Sequence, residues 1–417
     1  MESGHPLVLS PEVLSVLQPR AINEPLFPNL KTLRLWDASV ETIPFIPSLL
    51  SARTTDIRIG FSSANFPEGM VVSMVAAFPT LCPNLQGISF SSLPNDPMIT
   101  AAVSGMVLAT NRNTLRSFKA GCLLTQTAHK VLCELPNLHD LSIVIRDNTS
   151  LPLLVLPSLV DLTVTYDDGS DWLQGFRGAT LGKLASITIR SKSSSVGNFL
   201  EAFESVMVTT STSETLSTFS FDTSGPWRPN YRSLLSFTQL DELTIDFSCE
   251  GGCSSMIDDD IIIHMARAMP KLEILQLGGE PCRNPTGITA KGLAALSYYC
   301  PNLFTLRIHF RVDSLIPTST SIITSDDQQA DSNCALTDLE VGEMPIVEGS
   351  ALMVALTLLR IFPRLEYIEY SDGGWEEVAD AIRLSKRLAD ASSKKFSLTP
   401  PSSEVDGTSL GAAFEDV

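Results

Sequence analysis

Few residues in this chain have chemistry to offer, and they are scattered. Cys249 and Cys253 in SCEGGCSS are followed closely by Asp258, Asp259, Asp260 and His264, a grouping of thiol, carboxylate and imidazole that raises the question of a metal. A structural zinc wants four well-spaced ligands, usually in two close pairs, and no second Cys or His pair is present. A loop followed by an acidic helix start accounts for the same residues. The five histidines (His5, His129, His139, His264, His309) have no nucleophile at a recognisable spacing, and neither Gly-x-Ser-x-Gly nor His-Glu-x-x-His occurs. GATLGKLAS lacks the length of a phosphate-binding loop and the Ser or Thr that should follow Lys183. The chain therefore reads as non-catalytic, with no cofactor and no metal.

Binding chemistry is better represented. In TLRIHFRV, the residues Arg307, His309 and Arg311 alternate, so an extended backbone puts them on one face. Together they could receive a phosphate or an acidic peptide through charge-assisted hydrogen bonds. Arg34, Trp36, Arg58 and Arg190 occupy the same kind of alternating position, and an exposed tryptophan is a typical interface anchor. In the C-terminal tail, Thr399 precedes a proline and Ser403 lies four residues on, a pattern of candidate phosphosites.

What must position these side chains is a repeat. CPNLFTLRI at 300–308 is nearly the same phrase as FPNLKTLRL at 27 and CPNLQGISF at 82. The frame Leu-x-x-Leu-x-Leu, with other apolar residues tolerated at its second and third places, starts clearly at Leu30, Leu85, Leu138, Leu159, Leu184, Leu216, Leu240, Leu272, Leu303, Leu336 and Leu365. Weaker copies around Ile57 and from Leu115 bring the number to 13. Alternation in an extended segment sends Leu306 and Ile308 to a buried side and Arg307 to the other. Starts between 21 and 33 residues apart with this frame are the mark of a leucine-rich repeat.

Between frames, helical spacing joins Val71, Met74, Val75 and Phe78; Ile262, Met265, Ala266 and Met269; and Leu352, Ala355, Leu356 and Leu359. Asp258 and Thr289 stand where helix caps belong. Each Pro-x-Leu (Pro28, Pro83, Pro136, Pro157, Pro270, Pro301, Pro363) stops a helix and biases the next residues toward extension. The expected fold is α/β, a leucine-rich-repeat horseshoe with a parallel concave sheet and convex helices or turns. Its expected parts are an N-terminal cap segment over 1–26, about 13 repeats over 27–372, a capping helix over 373–390 through Trp375, Val378, Ala379 and Ile382, and a disordered tail over 391–417. A second polar stretch, 317–333, reads as a mobile loop.

Composition narrows the partners. The 417 residues are 44% hydrophobic with a net charge of −18, enough apolar material for a continuous core. A polyanion gains no counterion-release energy from DNA or RNA, so nucleic acid is excluded as a partner. The longest apolar run, ALMVALTLL from Ala351, is too short to span a bilayer, and the start offers no signal peptide. Eight cysteines spread along the chain read as reduced and buried. Together these features suggest a monomeric protein of the cytoplasm or nucleus, with no membrane partner.

The stretch ITAKGLAALSYYCPNLFTLRI, with Cys82 and Cys300 at helix ends, resembles the cysteine-containing leucine-rich repeats of F-box proteins. The FPNL and CPNL phrasing is most similar to the large fungal F-box/leucine-rich-repeat group, over residues 27 to 372. That resemblance implies a substrate-recognition subunit of a cullin–RING (SCF-type) ubiquitin ligase, holding a protein target on its concave face. Only PEVLSVLQ resembles part of an F-box, and residues 1–26 leave no room for a complete one. The chain is then either truncated, needing an F-box from elsewhere to meet SCF components, or a repeat scaffold or inhibitor unrelated to ubiquitination. The tail around Thr399 and Ser403 resembles a phosphodegron.

Overall fold

The structure is a computed structural model that describes residues 25–396 apart from 62–65, 146–151, 167–175, 177, 192–202, 206, 208–213, 224–230, 248–256, 279–286, 317–333, 342–344 and 371–373. PEVLSVLQ, Cys249, Cys253, the 317–333 stretch, Thr399 and Ser403 all lie outside the described residues.

Every copy of the frame forms a strand. They are β1 (Thr32–Ala38), β2 (Asp56–Phe61), β3 (Gly87–Ser91), β4 (Ser117–Leu123), β5 (Asp140–Ile145), β6 (Asp161–Tyr166), β7 (Ser186–Ser191), β8 (Thr218–Thr223), β9 (Glu242–Phe247), β10 (Ile274–Leu277), β11 (Thr305–Ile308), β12 (Asp338–Val341) and β13 (Tyr367–Tyr370). They pair in chain order into one open sheet of 13 strands, all parallel. The register follows the frame: Leu275 lies opposite Leu306, and Leu306 opposite Leu339.

A recurrent turn sets up each strand. The N–H of the frame's first leucine donates to the carbonyl three residues earlier, as in Leu85 to Cys82, Leu159 to Leu156, Leu272 to Met269 and Leu303 to Cys300. The chain then reaches sideways, and Phe304 and Thr305 N–H both donate to the Glu273 carbonyl of the preceding repeat. Strand direction, turn and register thus repeat together.

Helices fill some of the crossovers: α1 (Ile46–Leu49), α2 (Glu68–Leu81), α3 (Pro97–Ala109), α4 (Gln126–Leu132), α5 (Asp259–Ala268), α6 (Ala290–Tyr299) and α7 (Ala351–Ile361), with α8 (Trp375–Phe396) closing the last repeat. Their buried side chains and the inward side chains of the strands form one continuous core. Between β5 and β6 the described residues 152–160 form a turn, and Val155 makes an isolated parallel bridge to Thr180 in the following crossover. The stripes expected on α2 and α5 are the buried ones. On α7 the expected stripe is displaced by one residue: Ala351, Val354, Ala355 and Leu358 are buried, whereas Leu352 and Leu356 are 56% and 46% exposed. A helix apolar on every side gives periodicity nothing to choose with. Trp375, Val378 and Ile382 of α8 are buried as expected, but the helix continues to Phe396, beyond the expected boundary at 390 and into the span expected to be disordered.

Asp258 and Thr289 cap α5 and α6, accepting from Ile261 N–H and Lys291 N–H. Asp259 goes further and ties the two repeats together. Its carboxylate accepts from Thr289 N–H at 2.8 Å, Thr289 Oγ1 at 2.6 Å and Gly292 N–H at 3.0 Å, so it satisfies the first turn of the neighbouring helix. Gly292 is required for this approach, since a Cβ there would sit 2.6 Å from Asp259 Oδ1.

Two stability predictions follow from this packing. Asp259→Ala should lower unfolding free energy by about 2 kcal/mol, and amide exchange should accelerate in α6 while α2 is unaffected. His129 is 2% exposed on α4, its Nε2 has no hydrogen-bond partner among the described residues, and burial lowers its pKa from 6.5 to about 4. The unfolded chain therefore binds the extra proton first, and stability held above pH 6.5 falls as pH drops through that window. Urea titrations should show a loss of about 2 kcal/mol between pH 6.5 and pH 5 that His129→Gln removes.

Candidate functional site

The strand face away from the core is polar and is organised in rows, because side chains at matching positions of in-register strands stand side by side. The middle row runs Arg34, Arg58, Ser89, Lys119, Ser142, Thr163, Thr188, Ser220, Thr244, Gln276, Arg307, Glu340 and Glu369. Two residues further along their strands lie Ser91, Thr165, Arg190, Asp222 and Asp246, and also Trp36, which falls in the register shift of β1.

Arg34, Trp36, Arg58 and Arg190 are exposed as expected, with Trp36 at 76%. The cluster expected at Arg307, His309 and Arg311 does not assemble. His309 is 6% exposed, packed over Gly278, where a Cβ would come within 3.2 Å of its Nδ1. Gly278 has φ +103°, a left-handed backbone that favours glycine and leaves the space His309 fills. Burial, and then the Arg307 charge, hold the imidazole pKa below its usual value, which favours the neutral form. His309 is therefore a packed side chain and not a ligand-facing one.

The two arginines already have carboxylate partners. Arg307 Nε lies 3.0 Å from Glu340 Oε1 on the next strand, and Arg311 pairs with Asp313 at 2.9 Å beyond the end of β11. Burial raises the Glu340 carboxyl; Arg307 opposes that, while Glu369 and Asp246 add to it. Arg307 thus holds together an acidic end of the sheet face. Arg307→Ala should lower the melting temperature by a few degrees at pH 7.5, and because the Glu340 pKa is raised, the loss should shrink as pH falls toward 4.5 and that carboxyl takes up its proton. Arg307→Lys should retain most of the stability at both pH values.

A first row was missed in reading the sequence: Asp56, Asp140, Asp161, Glu242 and Asp338 each immediately precede the frame's second apolar residue and begin their strands. The signal was present as an acidic residue recurring at one place in the frame. Asp140 and Asp161 are opposite each other in register. Burial and then the Asp140 carboxyl raise the Asp161 pKa, with Lys119 opposing.

On the helix side, a recess of about 350 Å³ lies between the short helical turn Tyr231–Leu234 and α5, with Arg232, Asp258, Asp260 and His264 around it. Asp258 is used as a cap, and His264 Nδ1 is 2.6 Å from the Asp260 carbonyl. No group of three or more His, Cys, Asp or Glu side chains that could hold a metal ion occurs among the described residues. The five described cysteines are free and buried, and burial pushes the thiols of Cys122, Cys133 and Cys300 up to about 12.

A scan against models of known protein families finds no match, and a search of curated proteins finds none either.

Proposed function

We propose that this chain is a leucine-rich-repeat protein whose open sheet face is concave and binds a protein target without catalysis, as the recognition half of a cullin–RING ubiquitin ligase adaptor does. The observation that carries the reading is the face itself: 13 parallel strands paired in chain order, with register shifts only after Leu35 in β1 and after Lys119 in β4, present a broad polar surface with a tryptophan 76% exposed. A solenoid of this kind builds recognition from many shallow positions in place of one deep pocket. Support for the cytoplasm or nucleus comes from the five buried free thiols, which suit a reducing compartment. No described helix is long and apolar enough to cross a membrane.

Affinity capture from cells with the full chain, comparing wild type with Thr163→Arg/Thr188→Arg, tests this proposal. Those threonines are adjacent in the middle row, so the pair of arginines obstructs the centre of the face. Captured target should fall about tenfold, while Met98→Arg, an exposed change on α3, leaves it intact. Equal capture by the obstructed variant would sink the binding-face reading. Target captured without the ligase's small adaptor or cullin would favour a repeat scaffold or inhibitor outside ubiquitination.

A further inference from the structure

The cations of the open face are distributed unevenly. Arg34, Arg58 and Lys119 stand in the middle row on β1, β2 and β4, exposed, and none makes an ion pair among the described residues. Ser89 lies between Arg58 and Lys119 in the same row. Trp36 rises two residues beyond Arg34 on the same strand. At the far end, by contrast, Arg307 is neutralised by Glu340, and Glu369 and Asp246 add negative charge around that pair. A chain with a net charge of −18 therefore exposes, beside the 76% exposed Trp36, three cations that make no ion pair among the described residues.

We infer that this corner of the face docks a short acidic peptide segment of a partner protein that carries one apolar or aromatic residue, with Arg34, Arg58 and Lys119 taking the carboxylates and Trp36 taking the apolar group. The inference rests on the open face being the binding face and specifies what its first strands bind. Carboxylates satisfy arginines bidentately, and the indole supplies a flat apolar surface next to them. The strands from β1 to β4 span about 14 Å, the reach of roughly four extended residues crossing them. Acidic groups bound the patch. Asp56 precedes Arg58 by two residues and accepts from the Thr55 hydroxyl at 2.8 Å; Asp140 and Asp161 begin the next two strands. Their repulsion keeps a long polyanion from continuing along the face, which separates a short acidic peptide from a nucleic acid.

The probe is a fluorescein-labelled hexapeptide of aspartate and glutamate around one phenylalanine, titrated with the full chain by anisotropy. Its counterpart has every acid replaced by the matching amide. Saturable binding of the acidic peptide is expected, weakened about tenfold by raising salt from about 50 to about 300 mM. Arg34→Glu/Arg58→Glu should weaken it at least about tenfold, and Trp36→Ala by a similar factor. Lys130→Glu, an exposed charge reversal on α4 and off the sheet face, should leave it unchanged. Absence of saturable binding, binding of the amide peptide as tight as the acidic one, or indifference to the Arg34/Arg58 reversal in protein whose circular dichroism and melting temperature match wild type would overturn the inference. If the peptide result fails while Thr163→Arg/Thr188→Arg still lowers target capture about tenfold, the binding face stands and only its acidic-peptide corner falls.

Discussion

A strand of four to seven residues with two or three apolar side chains on one face has nothing inside its own repeat large enough to bury them. Burial comes only when the next repeat arrives in register, so the parallel ladder between neighbours is the interaction on which everything else here depends. Leu303, Leu306 and Ile308 are fully or almost fully buried because β10 and β12 flank β11 and the helices close over them. Each such side chain contributes about 2 kcal/mol of hydrophobic stabilisation, and the repeat multiplies it. The crossovers are freer: a full helix, a single helical turn or plain turns all serve, provided the next frame begins in register.

That same constraint turns positions in the frame into places on a surface. A residue between two inward leucines stands beside its counterparts from neighbouring repeats, whatever lies between them in the chain. The face is therefore organised in rows, and each row has its own character: acidic residues recur where strands begin, hydroxyls dominate the middle, and the charges sort to opposite ends. Arg307 and Glu340 meet because adjacent strands are in register, although 33 residues separate them. The Asp140 and Asp161 carboxyls face each other through the same geometry and show its cost, since burial and the neighbouring Asp140 make the Asp161 carboxyl harder to ionise.

How much could be read from the residues alone follows the same line. The 13 strands were legible, since the frame encodes both the apolar alternation and the turn that precedes it. Helix starts at Asp258 and Thr289 were legible from local capping chemistry. The burial of His309 was not: it depends on a glycine just past the end of the neighbouring strand β10, and no property of the segment Thr305–Arg311 records that Gly278 leaves room above it. The buried side of α7 was equally hidden, because leucine and methionine around the whole helix make its orientation a choice of its neighbours. The role of Asp259 lies between these cases, since its acidity is visible but its reach to Thr289 and Gly292 requires two helices side by side.

The cysteines complete the picture in a different way. Cys300 donates its thiol to the Ala266 and Met269 carbonyls of the preceding repeat, and Cys334 donates to Cys300 and Leu303 in the same fashion. A thiol held protonated by burial is inert to alkylation until solvent reaches it. Solvent reaches these sulfurs when one repeat parts from the next. Cys300 and Cys334 are therefore placed as chemical clocks at two successive joints, each timing the opening of the joint its thiol crosses.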